Sequence, residues 1–184
     1  MRLFVAVYPP IELARAWLSR VGAMGGSAAA LPEHRASPEA QVHLTLRFIG
    51  ERREQELDEV VESVQRSASG IGVFTLTGLG LITLPRRGPA RLIAIETDTP
   101  PPLLELHRRL AVRLARKARK DGGDRFTPHV TLARLREESR GYRLAVPLEG
   151  EEERRGFEVR EIALMRSVLH ATGAEHREVV RVGV

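Results

Sequence analysis

The chain has no cysteine and no asparagine, three glutamines, and only two lysines, Lys117 and Lys120, among its 29 basic residues. Without cysteine there is no disulfide framework, no thiolate-bound zinc or iron–sulfur cluster, and no cysteine nucleophile. The scarcity of amide side chains leans toward heat tolerance. Almost every cation is Arg, whose planar fork of donors suits phosphate, although GC-rich coding alone produces the same bias. Aromatic residues make up only 4% of the chain. Long apolar runs are missing too. Leu3–Tyr8 is too short for the core of a secretion signal and is followed by no small-residue cleavage site. The 19 uncharged residues from Ser67 to Pro85 hold four Gly, three Thr and two Ser, a pattern of two short strands with glycine joints rather than a membrane span. These absences lead us to expect a soluble, cytoplasmic protein.

What is present fits a single domain over residues 1–184, since domains run to about 150 residues and a chain of this size buries roughly 70% of its unfolded surface. The net charge of +5 is modest evidence for an anionic partner. The pattern of elements repeats. Arg2–Val7 reads as a buried strand ended by Pro9-Pro10. A helix follows from about Ile11, with Ile11, Ala14, Leu18 and Val21 at helical spacing. The loop Gly25–Pro38 leads to a second strand, Val42–Ile49. In the second half Arg91–Ile95 is a strand, and Thr99 with Pro100–Pro102 opens a helix carrying Leu103, Leu106, Leu110 and Leu114. Gly122-Gly123 close it, and a strand runs from about His129 to Arg134. The first strands begin 89 residues apart, and the histidines of the second strands 86 apart. Between the copies lie an amphipathic helix (Leu57, Val60, Val61, Val64) and a strand, Val73–Leu81. Phe157–Val168 and Glu178–Val184 read as further strands.

The two second strands carry the chemistry. They contain His43-Leu-Thr45-Leu and His129-Val-Thr131-Leu. Residues i and i+2 of a strand share a face, so His and Thr stand together while Leu44, Leu46, Val130 and Leu132 face the core. Two such pairs related by a pseudo-twofold axis set two imidazoles across one cleft. That arrangement suits in-line displacement at phosphorus. A neutral imidazole accepts a proton from the attacking oxygen, and a protonated one supplies the leaving oxygen. Only His, with an ordinary pKa of ~6.5, populates both forms near neutrality. The hydroxyls can donate to non-bridging oxygens as charge builds there. The scheme needs no metal and no cofactor. Metal ligation is the sharper rival, but neither motif supplies a second ligand at i+2 or i+4, and there is no His-x-His or His-Glu-x-x-His.

These motifs, with Arg2–Pro10, the trailing Phe48-Ile-Gly50, the run Phe126–Arg134 and the late strand Phe157–Ser167, resemble the 2H phosphoesterases and, within them, the RNA 2′,3′-cyclic phosphodiesterase branch once described as 2′-5′ RNA ligases. The resemblance implies a bilobal α+β fold, two pseudo-symmetric lobes with antiparallel-rich sheets lining a central cleft and helices outside. It implies that His43 is the proton donor and His129 the proton acceptor, with Thr45 and Thr131 holding the phosphate. It also implies hydrolysis of RNA ends, or small 2′,3′-cyclic nucleotides, to 2′-phosphomonoesters. No membrane partner is expected from the composition, and a monomer is expected. ATP-independent 2′-5′ joining at the same site and a non-catalytic RNA-binding module are the alternatives. Arg134 is expected nearby as a cation, though strict alternation would aim it at the core. Ala171 and His176 stand where the family often has Pro and Tyr.

Other residues receive plainer readings. His34, His107, His170 and His176 lack a partner pattern and are expected at the surface or behind the site. The basic run Arg113–Lys120 reads as a solvated helix end, favoured there by the helix dipole, more than as an RNA patch. Phe48, Phe126 and Tyr8 are of the kind that stacks on a base, but core positions are expected for each.

Overall fold

The computed structural model describes residues 1–24, 31–115, 126–170 and 173–184. Its elements run β1 (Arg2–Val7), α1 (Ile11–Met24), β2 (His34–Ala36), β3 (Leu44–Glu51), α2 (Leu57–Ala68), β4 (Phe74–Leu76), β5 (Gly78–Leu84) and β6 (Ala90–Thr97). They continue with α3 (Pro101–Arg113), β7 (His129–Ser139), β8 (Ala145–Pro147), β9 (Phe157–Val159), β10 (Glu161–His170) and β11 (Gly173–Gly183). Nine strands form one sheet in the order β11-β10-β1-β3-β7-β6-β5-β8, with β2 pairing on β7. A two-stranded ribbon, β4-β9, stands apart. Every strand pairing is antiparallel, so the fold is α+β.

The sheet has two unlike faces. One carries Leu3, Val5, Val7, Leu44, Leu46, Ile93, Ile95, Val130 and Leu132, all buried, and the three helices pack against it. Each fully buried leucine contributes about 1.5–3 kcal/mol, so this face anchors both motif strands. Pro100 ahead of Pro101-Pro102 starts α3, whose Leu103, Leu106, Leu110 and following Leu114 are buried as its spacing required. The opposite face has only a small cluster of Phe4, Ala6, Ala163 and Met165, with Tyr8 against it. Among the described residues no helix packs on that cluster.

Four expectations shift. The buried face of α1 is Leu13, Ala14, Trp17 and Val21, with Leu18 packed against the core; Ala14, Leu18 and Val21 stand as expected, but Ile11 is 40% exposed. Trp17 turns the helix, because its indole nitrogen donates to the Glu153 carbonyl oxygen at 2.8 Å while its ring is fully buried. The stretch Val73–Leu81 is two strands in different sheets, β4 and β5, as the glycine joints suggested. Phe157–Val168 likewise divides into β9 and β10 at Arg160. Finally, β11 begins before Glu178, at Gly173. Gly122-Gly123, Ala171 and the part of the basic run beyond Ala115 lie outside the described residues.

Candidate active site

The motif strands are neighbours at the centre of the sheet and meet at one pair, Leu44 opposite Val130. Both of those side chains are fully buried on the helical face. Extending the antiparallel register by one residue each way sets His43 beside Thr131 and Thr45 beside His129. All four side chains therefore stand on the uncovered face, and the Leu44–Val130 pair marks the local twofold. The structure sets the two imidazoles on adjoining strands of one sheet.

The histidines are held alike. His43 Nδ1 lies 2.6 Å from the Gln41 carbonyl oxygen, and His129 Nδ1 lies 2.7 Å from that of Thr127. A carbonyl only accepts, so in each neutral ring Nδ1 carries the proton and Nε2 keeps its lone pair. Both rings thus present Nε2 for proton transfer.

Arg134 joins them through a break in alternation. On β7, Thr131 pairs with Ala94 and Ala133 with Ile93, so Leu132 is an extra residue and the strand bulges. Leu132 and Ala133 are both buried, and Arg134 emerges exposed on the histidine face. Ser37 secures the bulge, its amide donating to the Leu132 carbonyl oxygen at 2.7 Å and its hydroxyl to that of Thr131 at 3.3 Å. The same irregularity recurs on β3, where Ala6 pairs with Thr45 and Val5 with Arg47, leaving Leu46 extra. The residue placed there like Arg134 is Phe48. It is 65% exposed and lies 6.2 Å from the Phe4 ring, so the expectation of a core position fails for it. Phe126 stacks instead on His107, with centroids 3.9 Å apart.

The two histidines differ in surroundings. Phe4, Tyr8 and His176 stand around His43 at 5.1, 5.4 and 5.1 Å between ring centroids. Burial among them drives the His43 pKa down to about 4, and the charges of His176, Arg134 and His129 push the same way. Its bond to Gln41 opposes the shift without cancelling it. Burial also raises the Tyr8 hydroxyl to about 12. His129 instead has Glu96 opposite it on β6, and Glu96 is ion-paired with Arg86. His176 is the residue sequence reasoning missed. It was expected at the surface or behind the site, yet its pairing with Ser167 brings it to the site face. Among the described residues no group of three His, Asp or Glu is placed to hold a metal ion, and no helix is long and apolar enough to cross a membrane.

Solved structures share this fold. A Thermus thermophilus protein, TT0787, superposes with a TM-score of 0.79 at 26% identity, covering all of this chain and 97% of its own. The Escherichia coli protein LigT, solved with 3′-AMP, matches at 0.79 and 24% identity over all of this chain and 97% of that one, a likeness of fold. A Thermotoga maritima RNA 2′,3′-cyclic phosphodiesterase is 29% identical over 98 residues, 53% of this chain. That alignment spans about half, 52%, of the curated relative. Fold and family match together are those of the two-histidine phosphoesterases. The chain belongs to the 2′-5′ RNA ligase superfamily, whose family model matches residues 9–171.

Proposed function

We propose that the protein opens terminal 2′,3′-cyclic phosphates, on RNA or on small cyclic nucleotides, to leave a 2′-phosphomonoester. The observation that carries this reading is the meeting of the motifs at Leu44–Val130, with both Nε2 atoms free on one face. Water attacks phosphorus and gives its proton to His129 Nε2. The bond from phosphorus to the ribose 3′ oxygen breaks, and that oxygen takes the proton on His43 Nε2. Thr45 and Thr131 donate to the non-bridging oxygens, and Arg134 supplies a fixed positive charge. His43 is neutral in the free site, so it gains its proton as the anionic phosphate arrives and offsets the Arg134 charge. The name of the Thermotoga relative supports the same chemistry.

Residues 1–184 form, in this reading, one domain of two lobes, each giving a His-x-Thr strand, a division supported by a sheet order symmetric about β3 and β7. The enzyme works as a cytoplasmic monomer and uses no metal or cofactor. Joining a cyclic phosphate to a 5′-hydroxyl uses the same two proton transfers in reverse. Incubating the protein with an oligonucleotide ending in a 2′,3′-cyclic phosphate, with and without a 5′-hydroxyl acceptor, separates the outcomes. A 2′-phosphate product is expected. A ligated product in its place, a 3′-phosphate, or no turnover refutes the reading.

A further inference from the structure

His176 lies on β11, outside both motifs, and the chemistry above leaves it without a task. Its ring stands edge-on to His43 at 5.1 Å and to Phe4 at 4.8 Å. Its Nδ1 is buried with no hydrogen-bond partner among the described residues. The Tyr8 hydroxyl, whose ring lies 5.4 Å from that of His43, is also buried and has no partner among the described residues. An unpaired buried polar group costs about 1–3 kcal/mol, and native proteins keep few of them. Two such groups beside one imidazole point to a ligand that completes them.

The charges nearby indicate which kind. Burial, and then the Arg134 guanidinium, lower the His176 pKa, which keeps the ring neutral in the free site. His43, just before β3, and Arg134 from β7 face it, and Ser167 stands opposite on β10; Glu178 and Arg181 of its own strand act on the Tyr8 hydroxyl just past β1. An anion seated among His43, His176 and Arg134 offsets the guanidinium charge and favours the protonated ring, in which both nitrogens donate.

Resting on the cyclic-phosphate reading, we propose that His176 is a third substrate-contacting histidine, donating to the terminal phosphate that His43 and His129 flank. Inorganic phosphate titrated calorimetrically into the full chain near pH 7, in two buffers of different protonation enthalpy, reads affinity and proton uptake without turnover. His176→Phe keeps a ring against Phe4. It should weaken phosphate binding about tenfold, the scale of one hydrogen bond to a charged group, and should take up as much as one proton fewer. In turnover it should raise KM more than it lowers kcat. His176→Gln keeps a neutral donor and should lose the proton uptake with a smaller loss of affinity. If the Phe variant does not fold, the proton count of the Gln variant decides. Wild-type affinity and proton uptake in both variants, or no phosphate binding by the wild type, overturns the proposal. The cyclic-phosphate reading fails separately, if the wild type leaves the cyclic end intact whatever phosphate binding shows.

Discussion

His43 should make the fold sensitive to mild acid, and the size of the effect follows from its surroundings. In an unfolded chain an imidazole titrates near 6.5, whereas the ring held among Phe4, Tyr8 and His176 titrates at about 4. Between those values the unfolded state binds one more proton than the folded state, so stability falls as pH falls. The contribution is intact above pH ~6.5 and is lost on descending through pH ~4. At about 1.4 kcal/mol per unit, the full loss is roughly 3 kcal/mol. Urea unfolding of wild type and His43→Gln at intervals from pH 7 to pH 4 measures it. The wild type should lose roughly 3 kcal/mol more than the variant over that range. The lowered carboxylates, Glu105 and Glu175, are present in both proteins, so their effect cancels in the difference. Saturating phosphate should flatten the wild-type slope, because it favours the protonated ring in the folded state. Equal slopes for the two proteins would mean that His43 is not desolvated, and the account of its neutrality would fail.

His43→Ala and His129→Ala should each lower the hydrolysis rate by about two to four orders of magnitude, and the double variant by far less than the product of the two, since they act as a unit. Near wild-type turnover by His129→Ala would refute the two-histidine scheme. Arg134→Ala should raise KM about tenfold in steady-state kinetics, the scale of one charge-assisted contact, and Arg134→Lys should not fully restore it. Phe48→Ala should raise KM for cyclic nucleotides about tenfold through lost base stacking, while leaving the affinity for inorganic phosphate unchanged. Hydrolysis should survive excess EDTA; loss restored by a divalent ion would remove the metal-free scheme.

Much of the site was legible because it rests on the two-residue period of a strand. Leu44, Leu46, Val130 and Leu132 are buried as alternation required, and that fixes where His43, Thr45, His129 and Thr131 point. The stripe of α3 was legible for the same reason, from its own period. The stripe of α1 was legible in part: Ala14 and Val21 are buried as expected, but Trp17, whose indole is claimed by the distant Glu153 carbonyl, was not foreseen and Ile11 is exposed. His176 was hidden differently. It reaches His43 through the pairing of β10 with β11 and of β1 with β10, a relation between strands that no local spacing encodes.

Arg134 and Phe48 show how far alternation carries and where it stops. By period two, Arg134 shares a face with Val130 and Leu132 and would point into the core. A single extra residue after Thr131 reverses that, and an extra residue after Thr45 does the same for Phe48. A bulge re-aims every side chain beyond it at the cost of one unpaired residue. Here it lets each motif strand bury two consecutive residues at its bend, or nearly so (Leu132 with Ala133, Leu46 with half-buried Arg47), and then return to the site face. The twofold at Leu44–Val130 thus relates the bulges as well as the histidines. What the repeat then delivers to the two sides is unlike: a guanidinium beyond His129 and an aromatic ring beyond His43. One side is equipped for the charge of a phosphate and the other for the face of a base. On the proposed cyclic-phosphate reading, the substrate presents both of those features, and the unlike residues at matching positions would give the near-symmetric site a direction in which to hold it.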